Sequence, residues 1–145
     1  MNNTYPPVIV EQIFNASILK VWGAITELNQ MKQWFFENIE SFEPKKGFET
    51  QFIVHVENRT FTHLWKLTEV IPHQKITYNW KYKEYDGDSF VTFELFKKNN
   101  QVELKLTHTV VTEFPNNIPE FTRKSCLGGW NYFIGERLKD YLNKT

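Results

Sequence analysis

Cysteine and net charge are what this chain has least of. Its 145 residues include one cysteine, Cys126, and 17 Lys or Arg residues are balanced by 17 Asp or Glu residues. A lone cysteine forms no internal disulfide and supplies too few thiolates for a metal site. A net charge of zero argues against the basic surface that binding to nucleic acid or to anionic membranes requires.

Long apolar runs, glycine and proline are also scarce. No run approaches the roughly 20 apolar residues of a membrane-spanning helix. The first seven residues, Met1–Pro7, have neither the cationic start nor the apolar stretch of a secretion signal. The six glycines and six prolines are scattered, which argues against a fibrous or disordered chain. The sequence therefore predicts a cytoplasmic protein with one domain over residues 1–145, long enough to bury a sizeable core.

Aromatic residues, by contrast, are abundant. The chain has 13 Phe, 6 Tyr and 5 Trp, which together make up 17% of its residues. Each buried ring removes about 150–250 Å² of surface from water. Such a supply of rings can fill a dense core or line a pocket with bulky walls, and composition does not choose between the two.

The first third of the sequence predicts one strand and two short helices. Residues Val8–Phe14 alternate in polarity as a strand does. Asn15 or Ser17 can then cap a helix, and a second helical turn runs from Leu28 to Phe35. The first helix has apolar residues at a period of 3.6, namely Leu19, Val21, Trp22 and Ile25.

From Phe48 the hydrophobic period changes to two, and it keeps that period as far as Val110. Turn residues divide this region at 58–59, 72–74, 86–87 and 99–100, which leaves five strands. Consecutive strands joined by short turns pair in an antiparallel manner. Such a sheet is apolar on one face and polar on the other.

The last element predicted is a long helix. Pro119 suits its first turn, and the pair Gly128-Gly129 marks either a bend or a place where a backbone or ligand comes close. Its apolar residues recur at helical spacing: Leu127, Trp130, Phe133, Ile134, Leu138, Tyr141 and Leu142. Because only this helix is large enough to cover the apolar face of the sheet, we predict an α+β helix-grip fold. A curved antiparallel sheet of six to seven strands surrounds the helix, and two short helices follow the first strand.

Several short motifs, in this order along nearly the whole chain, resemble the START-like superfamily, also called SRPBCC. The closest resemblance is to its branch named after the activator of the heat-shock chaperone ATPase (AHSA-type proteins). The motifs are Val21-Trp22 with Thr26 and Trp34, Leu67-Thr68-Glu69-Val70 with Pro72, Ile76-Thr77-Tyr78-Asn79-Trp80, Val91-Thr92-Phe93, Leu104-Lys105-Leu106-Thr107-His108 and Gly129-Trp130.

The resemblance implies the helix-grip fold more strongly than it implies a function. Proteins of this superfamily include lipid carriers, hormone receptors, polyketide cyclases and co-chaperone domains. The family often has glycine where this chain has Trp65, and a tryptophan on the apolar face would narrow a cavity or reshape its mouth.

The predicted site is a cavity between the sheet and the last helix. Residues on the inward register of the strands and on the apolar face of the helices are its candidate lining, with neither a metal nor a cofactor expected. The candidates are Trp34, Phe52, Val54, His63, Trp65, Tyr78, Trp80, Phe93, Leu106, His108, Cys126, Trp130 and Phe133. A solid aromatic core is the competing interpretation of the same residues.

Few residues favour catalysis. His63 and His108 fall on the inward register, where a hydrogen-bonded structural histidine is the more ordinary role, and no H-E-x-x-H spacing indicates a metal site. Glu69 continues the register of Trp65 and Leu67, so its carboxylate either points inward or turns out to water or a cation. No nucleophile, base and orienting group occur together, and Cys126 is expected to be a buried, unreactive thiol.

Three functions remain open. The leading hypothesis is a non-enzymatic domain that binds a small hydrophobic molecule, lipid-like or aromatic. The second, which comes from the family resemblance, is an interaction module that modulates a heat-shock chaperone ATPase. The third is a cyclase or hydrolase that uses Glu69, His63 or His108 in the cavity.

Overall fold

Six antiparallel strands form one curved sheet in the computed structural model, which describes residues 6–144. They lie in the order β1-β6-β5-β4-β3-β2, with bounds β1 Val8–Phe14, β2 Glu49–Val56, β3 Arg59–Ile71, β4 Lys75–Tyr82, β5 Asp88–Lys98 and β6 Gln101–Thr112. The predicted α+β helix-grip fold is confirmed. The prediction about a secretion signal rests mainly on residues 1–5, which lie outside the described residues.

Helices cover the concave face of this sheet. Two short ones follow β1, namely α1 Ile18–Thr26 and α2 Leu28–Trp34. A 3₁₀ turn, Pro119–Phe121, follows β6. The C-terminal helix, residues 123–144, consists of α3 Arg123–Tyr132, a π-helical segment Phe133–Leu138 and α4 Lys139–Lys144.

The two faces of the sheet differ as the alternating pattern predicts. On the concave face Phe52, Tyr78 and Phe93 are at most 1% exposed. On the convex face, charges of opposite sign stand beside one another across four strands. The paired positions are Glu11 with Lys105, Lys105 with Glu94, and Glu94 with Lys75. Each such cross-strand pair stabilises a sheet by about 0.2–1 kcal/mol.

Local signals set the ends of the helices. Ser17, one of the two predicted caps, accepts a hydrogen bond from the Lys20 backbone N–H at 3.2 Å. The C-terminal helix begins later than predicted, because Pro119 opens the 3₁₀ turn and Thr122 caps α3 by accepting from the Ser125 N–H at 3.1 Å. Leu127, which the pattern placed on the apolar face, is 41% exposed.

One half of the concave face is filled by aromatic side chains from α2 and the segment after it. Trp34 stacks on Phe35 with ring centroids 4.7 Å apart, and Phe35 lies 5.6 Å from Trp65. Further along, Phe42 stacks on Tyr78 at 5.9 Å. The Trp34 indole also donates to the Ala24 carbonyl at 2.7 Å, which fixes α2 against α1. This half of the molecule is a solid core.

Two glycines give opposite expectations for substitution by alanine. Gly128 is exposed within α3 and a Cβ there would meet nothing within 4 Å, so Gly128→Ala should raise the free energy of unfolding by about 1 kcal/mol. Gly87 has a φ of +133° and a Cβ there would lie 2.2 Å from the Phe114 ring, so Gly87→Ala should lower it by about 2 kcal/mol. Urea unfolding at equal m-value measures both. A loss of stability in Gly128→Ala would contradict the open surroundings of that residue.

Candidate functional site

A cavity of about 460 Å³ lies between the concave face of the sheet and the C-terminal helix. Exposed residues such as Glu113, Thr122 and Ser125 border it on one side, so the cavity opens to solvent there. Seven of the thirteen predicted site residues line it, and they are Val54, His63, Trp80, His108, Cys126, Trp130 and Phe133. Whether they bind a ligand remains a prediction.

The other six predicted residues do not line this cavity. Trp34, Phe52, Trp65, Tyr78, Phe93 and Leu106 are at most 2% exposed and belong to the solid core. Their inward direction was predicted correctly, but the segment from α2 to β2 packs against them. For example, the ring centroids of Phe35 and Phe93 are 6.3 Å apart. The competing interpretation, an aromatic core, therefore holds for this half of the face.

Four aromatic residues outside the predicted site also line the cavity. We call Phe61, Tyr82, Phe114 and Phe121 the rim cluster. Phe114 stacks on Phe121 with centroids 5.0 Å apart, while Tyr82 and Phe61 lie 5.1 and 5.6 Å from Phe121. Phe114 and Phe121 lie in the irregular segment between β6 and α3, where no periodicity indicates a side chain's direction. Their aromatic character in a segment rich in polar residues was the only available signal.

An ion pair fixes the segment that carries the rim. Arg59, at the start of β3, donates from Nε and Nη2 to the two carboxylate oxygens of Glu120 at 2.8 and 2.7 Å. These hydrogen bonds from Arg59 hold the pKa of Glu120 below its usual range. Because the pairing is bidentate, it sets the orientation of the 3₁₀ turn as well as its position.

His108 is held in one tautomer by its neighbours. The Ser89 hydroxyl donates to the Trp80 carbonyl at 2.6 Å, so its oxygen must accept from His108 Nε2–H at 3.0 Å. The other ring nitrogen, Nδ1, accordingly accepts from the Trp130 indole N–H at 3.0 Å and lies 3.3 Å from the Cys126 thiol. A neutral imidazole satisfies all of these groups.

His63 is held in the opposite tautomer. Its Nδ1 lies 3.2 Å from the Phe61 carbonyl, which can only accept, so Nδ1 carries the hydrogen and Nε2 carries the lone pair. Next to it across β3 and β4, Tyr82 accepts a hydrogen bond from the Trp80 indole at 2.9 Å. Its own hydroxyl hydrogen is therefore available to another acceptor.

The electrostatics of the cavity favour uncharged side chains. Burial lowers the pKa of both His63 and His108 from 6.5 to about 4 and raises the pKa of the Cys126 thiol to about 11. The contact between Cys126 and His108 is thus a thiol beside a neutral imidazole, not the thiolate that a cysteine nucleophile requires. Nothing in the sequence pattern indicates this contact between two residues that are 18 positions apart.

Glu69 does not supply a carboxylate to the cavity. The pairing of β3 with β4 shifts between Leu67 and Glu69, and this irregularity turns Glu69 out of the inward register. Its carboxylate instead pairs with Lys75 at 3.1 Å. Of the two alternatives that the sequence left open for Glu69, pairing with a cation is therefore the one that the structure shows. Within residues 6–144, no three His, Cys, Asp or Glu side chains are placed to share a metal ion.

Comparison with known proteins identifies the family. The sequence model of the family described as Activator of Hsp90 ATPase homolog 1-like protein matches residues 15–143. The chain belongs to this family. The resemblance of its motifs to AHSA-type proteins of the START-like superfamily is therefore confirmed. Among curated proteins, none matches the chain significantly.

Solved structures share the fold at low sequence identity. A protein from Chromobacterium violaceum is 16% identical with a TM-score of 0.76, over 94% of this chain and 96% of its own. A protein from Mesorhizobium loti is 22% identical with a TM-score of 0.75, over 97% and 98%. The Aha1 dimer from Colwellia psychrerythraea is 18% identical with a TM-score of 0.72, over 95% and 96%. These structures, all below 25% identity, establish the architecture alone.

The two buried histidines make stability depend on pH in a predictable direction. Because their pKa is lowered from 6.5 to about 4 on folding, the unfolded chain binds more protons between these values. The contribution of each neutral histidine to the free energy of unfolding is therefore fully present above pH 6.5, and about 3 kcal/mol of it is lost for each histidine as the pH falls to 4.

Urea unfolding series over this pH range test the prediction. The free energy of unfolding of His63→Phe should fall less steeply with pH than that of the wild type. The exposed His55 serves as control, since His55→Phe should decline as the wild type does. Parallel declines for all three would contradict the buried, neutral state of His63.

Proposed function

We propose that this AHSA1-like domain binds a small hydrophobic molecule, lipid-like or aromatic, in the cavity beneath its C-terminal helix. The observation that carries the proposal is the cavity itself, about 460 Å³ in volume. Well-packed protein interiors contain few voids larger than a water molecule, whereas pockets for small molecules measure roughly 300–1,000 Å³. A chain with so many aromatic residues nevertheless leaves this space between β2, β4, β6 and α3.

The composition of the wall supports the same proposal. Most of the lining is aliphatic or aromatic, with Val54, Val56 and Val110 on the strands and Trp130 and Phe133 on the helix side. A few polar groups, among them His63, Tyr82 and His108, stand within this apolar surface. Binding sites for small molecules have this distribution, in which apolar surface supplies affinity and a few polar atoms orient the ligand.

Two neighbouring valines allow a matched test of the cavity. Val110 lines it, whereas Val111 is 47% exposed and does not line it. Val110→Trp should fill the cavity and weaken binding at least tenfold, because the ligand and the indole ring compete for the same space. Val111→Trp adds the same ring outside and should leave affinity unchanged. Amide NMR shifts during titration with fatty acids, sterols and planar aromatic compounds identify a ligand and give its dissociation constant. If no compound in such a set moves the resonances of cavity residues, the proposal is wrong.

A second candidate function rests on the name of the family. A protein described as similar to an activator of the Hsp90 ATPase invites a direct test with the chaperone. If this domain is such an activator, the ATPase turnover of the cognate Hsp90 should rise when the domain is added, and the Val110→Trp variant should act as well as the wild type, because a docking surface lies outside the cavity. Unchanged turnover at saturating concentration would reject this candidate.

The cellular address is a prediction that remains to be tested. Of the helices in the described part of the chain, none is long and apolar enough to cross a membrane. We propose a cytoplasmic location, which fractionation or a fluorescent fusion would test.

A further inference from the structure

Two polar atoms in the wall of the cavity have no hydrogen-bond partner within the protein. Throughout residues 6–144, no donor reaches Nε2 of His63 and no acceptor takes the hydroxyl hydrogen of Tyr82. Among the described residues, Trp65 Nε1 is the only solvent-inaccessible side-chain nitrogen or oxygen without a hydrogen-bond partner. His63 Nε2 also has no partner but is not in that group, so it must be accessible to solvent. The space that His63 borders is this cavity.

The two unpartnered atoms belong to adjacent side chains of opposite hydrogen-bonding character. His63 and Tyr82 are directly paired across β3 and β4, and their ring centroids are 4.9 Å apart. His63 offers a lone pair at Nε2, because Nδ1–H is committed to the Phe61 carbonyl. Tyr82 offers a hydrogen, because its oxygen already accepts from Trp80. The pair thus offers one acceptor and one donor on two neighbouring rings.

Three other charged or polar residues around the cavity, His108, Arg123 and Glu120, have hydrogen-bond partners within the protein. His108 satisfies Trp130 and Ser89. Arg123, the one cationic residue of the described lining, donates to the Pro6 and Pro7 carbonyls at 2.5 and 3.2 Å. Glu120 is neutralised by its bidentate pairing with Arg59. The guanidinium of Arg123 is therefore held at an exposed position by two backbone carbonyls, and no other Lys or Arg stands in the described wall.

We infer that His63 and Tyr82 together recognise a hydroxyl group, so that the ligand of this cavity is a hydrophobic alcohol or phenol. A hydroxyl is the one common small group that donates to Nε2 of His63 and accepts from Tyr82 through the same oxygen. This inference rests on the proposed ligand-binding function and specifies the chemical class of the ligand.

Ligands with other polar groups leave one of the two atoms unsatisfied. A methyl ether or ketone accepts from Tyr82 but offers no hydrogen to His63, and an unmet buried acceptor weakens binding. A carboxylate places negative charge against the lone pair of a histidine whose pKa is about 4. An unsubstituted hydrocarbon satisfies neither atom.

A series of biphenyl probes of nearly equal size tests this order. The probes are 4-phenylphenol, 4-methoxybiphenyl, biphenyl and biphenyl-4-carboxylate, with dissociation constants measured at pH 7.5 by quenching of tryptophan fluorescence. The phenol should bind about tenfold more tightly than the methyl ether, the loss expected for one unmet hydrogen bond. The carboxylate should bind most weakly.

Variants of the pair separate its two roles. His63→Phe should bring the affinity of the phenol down to that of the ether, because the acceptor is gone. Tyr82→Phe should weaken the phenol and the ether alike, because both accept from the tyrosine. His55→Phe and Tyr132→Phe, at exposed positions outside the lining, are matched controls that should change nothing. A further readout needs no variant: the ¹⁵N resonance of His63 Nε2 should move when 4-phenylphenol is added and stay in place with 4-methoxybiphenyl.

The outcomes distinguish this inference from the proposed function. Equal affinity for the phenol and the ether, or tightest binding of the carboxylate, would overturn hydroxyl recognition while leaving a hydrophobic site intact. Binding of no probe, or binding that Val110→Trp leaves unchanged, would overturn the ligand-binding function and this inference with it.

Discussion

The concave apolar face of the sheet must be covered, and the rest of this structure follows from how that is done. The C-terminal helix crosses the face and contributes Trp130, Ile134, Leu138 and Leu142 to the interior. At one end of the face, α2 and the segment that follows it close the remaining gap with stacked aromatic rings. At the other end the helix is joined to β6 through the irregular segment of residues 113–122, whose side chains ring an opening instead of filling it. The molecule is therefore solid in one half and hollow in the other.

The polar side chains buried in the hollow half are uncharged, and this determines the chemistry that the cavity can support. In a medium of low polarity the neutral form of a histidine is favoured, which is why His63 and His108 have a pKa of about 4. The two imidazoles are nevertheless different groups. His108 is enclosed by partners on both nitrogens, while His63 has one nitrogen tied to a backbone carbonyl and the other exposed to the cavity. The first stabilises the wall, and the second is available to a ligand.

Membership of the AHSA1-like family and likeness to solved structures explain the architecture but leave the activity to the site. Below 25% identity the side chains that line a cavity differ between relatives even when the strands superpose. The proposed binding therefore depends on residues of this chain, in particular on the unpartnered atoms of His63 and Tyr82. The predicted lining residues contain one member of that pair and omit the other, although Tyr82 lies on the inward register of β4.

The sequence by itself determined the order of the strands and helices along the chain, the face to which most side chains turn, and the family. Val8–Phe14, for example, forms the strand predicted with the same bounds, because polarity alternation is a local consequence of backbone geometry. Tertiary structure alone decided three other matters: that Trp65 and Tyr78 belong to solid core, that Glu69 turns outward, and that Cys126 meets His108. Each depends on where a distant segment packs or on an irregularity in strand pairing. Hydrophobic periodicity gives the direction of a side chain but not what occupies the space in front of it.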